Sequence, residues 1–212
     1  MCIRDSCEYS ANDGLSASDY NIDSRYIDDL WNLSYTVLTN ANSLISANED
    51  KPIYNNVVQM ARIWKAYVML RLTNCIGDVP YSEAADDIDQ PKYDTQKDIY
   101  YTIFDELKDA VSKLDESAAN NVGSYDLIYG GDAAKWKKFA NSIRLRMAVR
   151  ISDVDAAKAK TEAEAAITAG VFAGEDDAAY MKQGEDKFSQ NPIYYHKGSA
   201  LSLIHISEPT RL

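Results

Sequence analysis
Apolar residues recur at helical spacing in five stretches of this chain, and a strict apolar–polar alternation is sustained nowhere. From Arg25 to about Ser46, the positions Ile27, Leu30, Trp31, Ser34, Leu38, Ala41 and Ile45 share one face, and Asn48 to Asp50 end the pattern. A second helix is predicted to open near Pro52, a residue suited to a first helical turn, with Val57, Ala61, Trp64, Val68 and Leu72 as its stripe. The short connection implies an antiparallel pair. A third helix starts at Asp94 or Thr95 and turns Ile99, Ile103, Leu107, Ala110 and Leu114 inward. Gly130 and Gly131 then break the chain, and Asp132 is placed to accept the free N–H groups of a new helix. On that helix Trp136, Phe139, Ala140, Ile143, Met147 and Ile151 recur. An Ala-rich stretch from Val154 to Ala169 closes at Gly170, where a helix C-cap favours glycine. The expected fold is all-α, built of antiparallel helix pairs, with 86–91 and 180–197 as irregular stretches of the kind that carry binding loops.

The two ends stand outside this pattern. Met1 to Ser6, MCIRDS, can be encoded by ATGTGTATAAGAGACAG plus one base, and the reverse complement translates as Leu-Ser-Leu-Ile-His-Ile, the sequence of Leu201 to Ile206. Opposite ends thus read as the two strands of one short DNA, similar to the mosaic end of transposase-based sequencing libraries. Residues 1–6 and 201–212 are expected to be adaptor-derived, leaving 7–200 as a partial helical domain.

Charge narrows the function. The formal net charge is −11, and the ends contribute equal numbers of acids and bases, so the rest of the chain carries all of it. Such a surface repels nucleic acid and anionic lipid. Cys7 and Cys75 are far apart, lack C-x-x-C spacing and read as two unpaired thiols. No apolar run reaches the roughly 18 residues a bilayer span needs.

Catalytic constellations are not visible. With the ends set aside, His196 is the sole histidine, which leaves a His-based triad or a two-His metal site without its parts. Gly130-Gly131 is not followed by G-K-[ST], so it is no phosphate loop. The acidic runs Asp86, Asp87, Asp89 and Glu175, Asp176, Asp177 lack the order of a calcium loop and read as solvated. No cofactor or metal is expected. Trp31, Trp64 and Trp136 lie on the apolar stripes and read as core. Arg144, Arg146 and Arg150 read as partners for the surplus carboxylates, and Asn141 as a side chain bonded to loop backbone. The tyrosines offer another use, because a flat apolar ring with one hydroxyl matches the C–H faces and hydroxyl edges of a sugar. Those in or beside loops are Tyr9, Tyr20, Tyr125, Tyr129, Tyr194 and Tyr195, the last two close to Phe188 and Asn191.

Three segments carry a family resemblance. DLIYGGDAAKWKKFANSIRLRMAVRIS, Asp126 to Ser152, resembles the G-G-D turn and W-K-x-F-A-N-S-x-R-x-R helix of the SusD/RagB family of nutrient-binding outer-membrane lipoproteins. NCIGDVPYSEA, Asn74 to Ala84, is similar to its G-D-V-P-Y turn, and PKYDTQKDIYYTIFDELKDAV, Pro91 to Val111, to its P-x-Y-D-x-Q-x-I-Y segment. The resemblance implies a tetratricopeptide-like scaffold, although the W-x-x-L-G-x-x-Y repeat spacing is absent. It further implies capture of an oligosaccharide or peptide at the cell surface, without chemistry, and delivery to a SusC-like TonB-dependent β-barrel transporter. Membrane contact would be through an N-terminal lipid anchor upstream of this sequence. In relatives part of the ligand site precedes the first helix, which adds Asp19 to Tyr9 and Tyr20 as candidates. Two other classes stay open: a tetratricopeptide-type protein interaction module, and a glycan-degrading enzyme whose carboxylate pair would be set by tertiary structure.

Overall fold
A computed structural model describes residues 24–84 and 90–181. Among these described residues are five α-helices: α1 (Ser24–Asn48), α2 (Asn55–Ile76), α3 (Gln96–Lys113), α4 (Ala133–Arg150) and α5 (Ala156–Ala169). Single 3-10 turns at Pro52–Tyr54, Gly123–Tyr125 and Glu175–Asp177 punctuate them. Among the described residues there is no strand, only an isolated antiparallel bridge between Val79 and Asp94. The helices form at the predicted places because the chain supplies their ends. Thr95, Asp132 and Asp155 each accept a backbone N–H of the helix they precede. Gly77 and Gly170 close α2 and α5 at φ 97° and 94°, where a Cβ would be strained.

Successive helices pack antiparallel. Asn74, late in α2, accepts a hydrogen bond from Tyr100, early in α3, while Arg62, early in α2, reaches Asp109, late in α3. Asn141 of α4 donates to the carbonyls of Ala169, the last residue of α5, and of Gly170 just after it. The core is continuous, with Leu38, Ile63, Met69, Leu72, Ile99, Ile103, Phe104, Leu107 and Met147 among its fully buried side chains.

Helix α2 differs from its predicted stripe. Of that stripe only Leu72 is buried, while Val57, Ala61, Trp64 and Val68 are half-buried and the other buried apolar residues are Val58, Met60, Ile63, Ala66, Met69 and Leu70. The reason is position: α2 touches α1, α3 and α4 and so needs more than one inward face. Trp64 is therefore half-buried at an edge of the core; Trp31, on α1, which packs chiefly on α2, is half-buried as well, against the Tyr35 ring at 4.8 Å, and of the three only Trp136 is buried, at 4% exposure.

Two of the three resemblance segments turn out to be one clasp. The Asp94 carboxylate accepts the Tyr81 and Ser82 N–H groups at 2.9 and 2.7 Å and the Ser82 hydroxyl at 2.8 Å. Asp94 N–H donates to the Val79 carbonyl, Gln96 N–H to Asp78, and the Gln96 amide to the Thr73 carbonyl. Burial alone would raise the Asp94 pKa; the donors from Ser82 and Tyr81 bring it below its ordinary value. From α1, Tyr35 ties in by donating to the Pro80 carbonyl at 2.7 Å.

Candidate functional site
The chain between α3 and α4 is laced by two short polar side chains. Asn120 accepts the N–H groups of Val122 and Gly123 and donates to the Gly130 carbonyl at 2.7 Å. Asp126 accepts from Ile128, Tyr129 and Gly131 N–H groups, and from the Trp136 indole N–H at 2.7 Å. This is an Asx-type organisation, in which a side chain does what a backbone carbonyl would do in a regular element. Gly130 and Gly131 supply the φ values of 61° and 81° that let the turn close. The outcome is a fixed loop with two large side chains left outside: Tyr125 is 90% exposed and Leu127 65% exposed.

These side chains overhang a groove of about 460 Å3 between α1, α2 and the loop, a size typical of small-molecule sites. Val37 and Leu44 of α1, Val57 and Trp64 of α2, Tyr125 and Leu127 of the loop, and Met181 line it, with Asn40 and Asp126 as polar groups. Beneath runs a chain of aromatic contacts: Trp64 to Tyr67 at 5.4 Å, Tyr67 to Phe139 at 5.4 Å, then Trp136 edge-on to Phe139 at 5.6 Å. Such packing holds the groove wall rigid, which lowers the entropy lost when a ligand settles on it.

Of the candidate residues, Tyr125 and Tyr129 lie among those described, and the loop puts them to different uses. Tyr125 faces outward over the groove. Tyr129 packs edge-on to Trp136 at 5.6 Å and donates its hydroxyl to the Asp177 carbonyl at 2.8 Å. Burial, with Asp177 and Asp126 nearby, pushes its pKa up to about 12. Tyr9, Asp19, Tyr20, Phe188, Asn191, Tyr194 and Tyr195 lie outside the described residues. Trp64, Leu44, Leu127 and Met181 line the groove without being candidates of the sequence pattern. Trp64 had the right signal, an aromatic on an amphipathic stripe, but periodicity does not distinguish a core face from a groove wall.

The acidic run after α5 is not all solvated. Asp177 is buried, accepting from Lys138 at 2.8 Å and from the Ala173 N–H at 2.9 Å. The lysine contact and that N–H hold its carboxyl below the ordinary range. Arg144 pairs with Glu162 as expected of the basic face, whereas Arg146 and Arg150 make no ion pair among the described residues. Also among the described residues, no three His, Cys, Asp or Glu side chains are grouped to hold a metal ion, and no helix is long and apolar enough to cross a membrane.

Comparison with known proteins adds a second line of information. A family model described as SusD-like, starch-binding associating with outer membrane, matches residues 6–205. A chitin-binding protein of solved structure is 41% identical, with a TM-score of 0.71 over 77% of this chain and 36% of its own. A SusD homolog from Parabacteroides distasonis is 32% identical, with a TM-score of 0.78 over 90% of this chain and 38% of its own. A chitin-binding SusD homolog from Flavobacterium johnsoniae is 33% identical, with a TM-score of 0.72 over 81% and 36%. The chain therefore spans little more than a third of these relatives. Among curated proteins, none matches it.

Proposed function
The chain belongs to the SusD-like family, and on that premise we propose that it is part of an outer-membrane glycan-capture protein that binds oligosaccharide in the groove beneath Tyr125. The observation that carries this reading is an exposed aromatic ring held on a rigid loop above an apolar groove with few polar groups. That combination suits a sugar chain, whose C–H faces rest on rings and aliphatic walls while its hydroxyls bond to water and to a few fixed acceptors. The starch-binding description of the family and the two chitin-binding relatives favour a glycan over a peptide. The protein performs capture, not bond cleavage, and passes its ligand to a SusC-like TonB-dependent β-barrel transporter while held at the cell surface by a lipid anchor. Residues 7–200 are proposed to be the family's own sequence and the ends adaptor-derived, with the family match running a little further, from 6 to 205. Tyr9, Asp19, Tyr20, Phe188, Asn191, Tyr194 and Tyr195 are proposed to add to the same ligand contact.

Affinity electrophoresis through gels containing chitin oligomers or starch tests the reading. Retention by a polysaccharide should weaken about tenfold in Tyr125→Ala, the loss expected when one ring contact is removed. Undiminished retention in that variant removes the groove from the site, and binding of peptides alone removes the glycan. Release of reducing ends from the gel would point instead to an enzyme.

A further inference from the structure
At the far end of the bundle from the groove, the first turn of α3 meets the α4–α5 corner around a pocket of about 290 Å3. Trp136 and Arg150 mark the two ends of α4, so the sites stand roughly 20 Å apart. The pocket has an apolar side, formed by Ile151, Val154 and the Tyr101 ring, and a charged side that includes Lys97 and Arg150. Asp155 also lines it but is already engaged, accepting the Tyr101 hydroxyl at 2.6 Å and the Lys158 N–H at 3.0 Å. The Lys97 and Lys158 ammonium groups stand 5.5 and 4.8 Å from the Tyr101 ring centre. Tyr100, bonded to Asn74, is raised in pKa by burial and drawn back by Arg150 and Arg146, so both guanidinium groups lie near it.

This convergence needs a reason. In a chain of net charge −11, carboxylates are in surplus, and Arg62, Lys65, Lys108 and Arg144 all find one. Lys97 and Arg150 have no carboxylate within ion-pair distance among the described residues, though both line one pocket with room for a single sugar ring. We propose that this corner pocket is a second binding site that takes an acidic sugar, with Arg150 and Lys97 donating to its carboxylate and its C–H face resting on Ile151, Val154 and Tyr101. Arg150 presents the planar fork that matches a carboxylate, and the apolar side distinguishes a uronic acid from a bare anion. The inference goes beyond the groove reading, because it uses other residues at the other end of the molecule.

Calorimetric titration of the full chain with digalacturonate tests it. Binding should weaken about tenfold in Lys97→Ala and again in Arg150→Ala, and should fall as salt is added. The fully methyl-esterified disaccharide, of the same shape but uncharged, should bind at least about tenfold more weakly. Both replaced side chains are exposed, so unchanged circular dichroism and melting verify that the variants are folded. The proposal falls if the chain ignores digalacturonate, if the ester binds equally, or if inorganic phosphate binds as tightly. Loss of uronate binding in Tyr125→Ala also overturns it, by placing the ligand in the groove.

Discussion

At the residue scale, adjacent glycines in the turn before α4 are not equivalent. Gly130 has φ +61° with open space where a Cβ would go, whereas a Cβ on Gly131, at φ +81°, would stand 2.2 Å from the Asn120 amide oxygen. That oxygen holds the Val122 and Gly123 N–H groups. Gly130→Ala should therefore cost about 1 kcal/mol, the strain of a left-handed alanine. Gly131→Ala should cost about 2–3 kcal/mol, because it adds displacement of Asn120 from its partners. Urea unfolding of both variants checks this, and equal losses would mean that Asn120 does not hold the loop. The same scale explains what was legible beforehand. Asp132 as a cap could be read from its neighbours in sequence, but the bond from Trp136 to Asp126 could not, since it depends on how the loop folds back.

At the scale of elements, α4 and α5 are joined by a buried ion pair. Arg144 and Glu162, each about 5% exposed or less, meet at 2.8 Å, and Lys108 of α3 adds a contact to Glu162 at 3.0 Å. Burial on its own would raise the Glu162 pKa, but the bonds from Arg144 and Lys108 bring it below the ordinary 4.5. A carboxylate depressed in the folded state contributes stability fully above its unfolded pKa, and that contribution is lost as pH falls through the folded value. Glu162→Gln should thus cost about 3 kcal/mol at neutral pH, leaving Arg144 buried without its counter-charge. The gap in urea midpoint between the two proteins should shrink as the pH drops below 4.5. A gap that stays constant with pH would show that the pair is not acting through charge. The five helices themselves were readable because caps and periodicity are local. The inward face of α2 was not, because it is decided by three neighbouring helices at once.

For the whole molecule, charge sets the conditions under which the helices stay together. Ion pairs such as Lys113–Asp109 and Lys160–Glu164 lie on the surface and are worth little each, while a net charge of −11 acts against the compact state as a whole. Added sodium chloride, from about 10 mM to about 0.3 M, shortens the screening length several-fold and should raise the melting temperature. A decrease would mean that the surface ion pairs outweigh the self-repulsion. The same screening separates the two proposed sites: an apolar groove loses little affinity in salt, whereas a pocket built on Lys97 and Arg150 loses much.

The sequence alone determined the all-α class, the five helices, the Asp132 and Gly170 caps, the acidic character and the family, since each rests on residues near one another in the chain or on a linear pattern. Only the tertiary structure decided that Tyr125 overhangs a groove while Tyr129 is packed beside Trp136, that Trp64 is a wall and not core, and that Asp94 fastens one motif to another. Those outcomes depend on which surfaces remain uncovered after the helices pack, and periodicity records that a face is apolar without recording what, if anything, comes to lie against it.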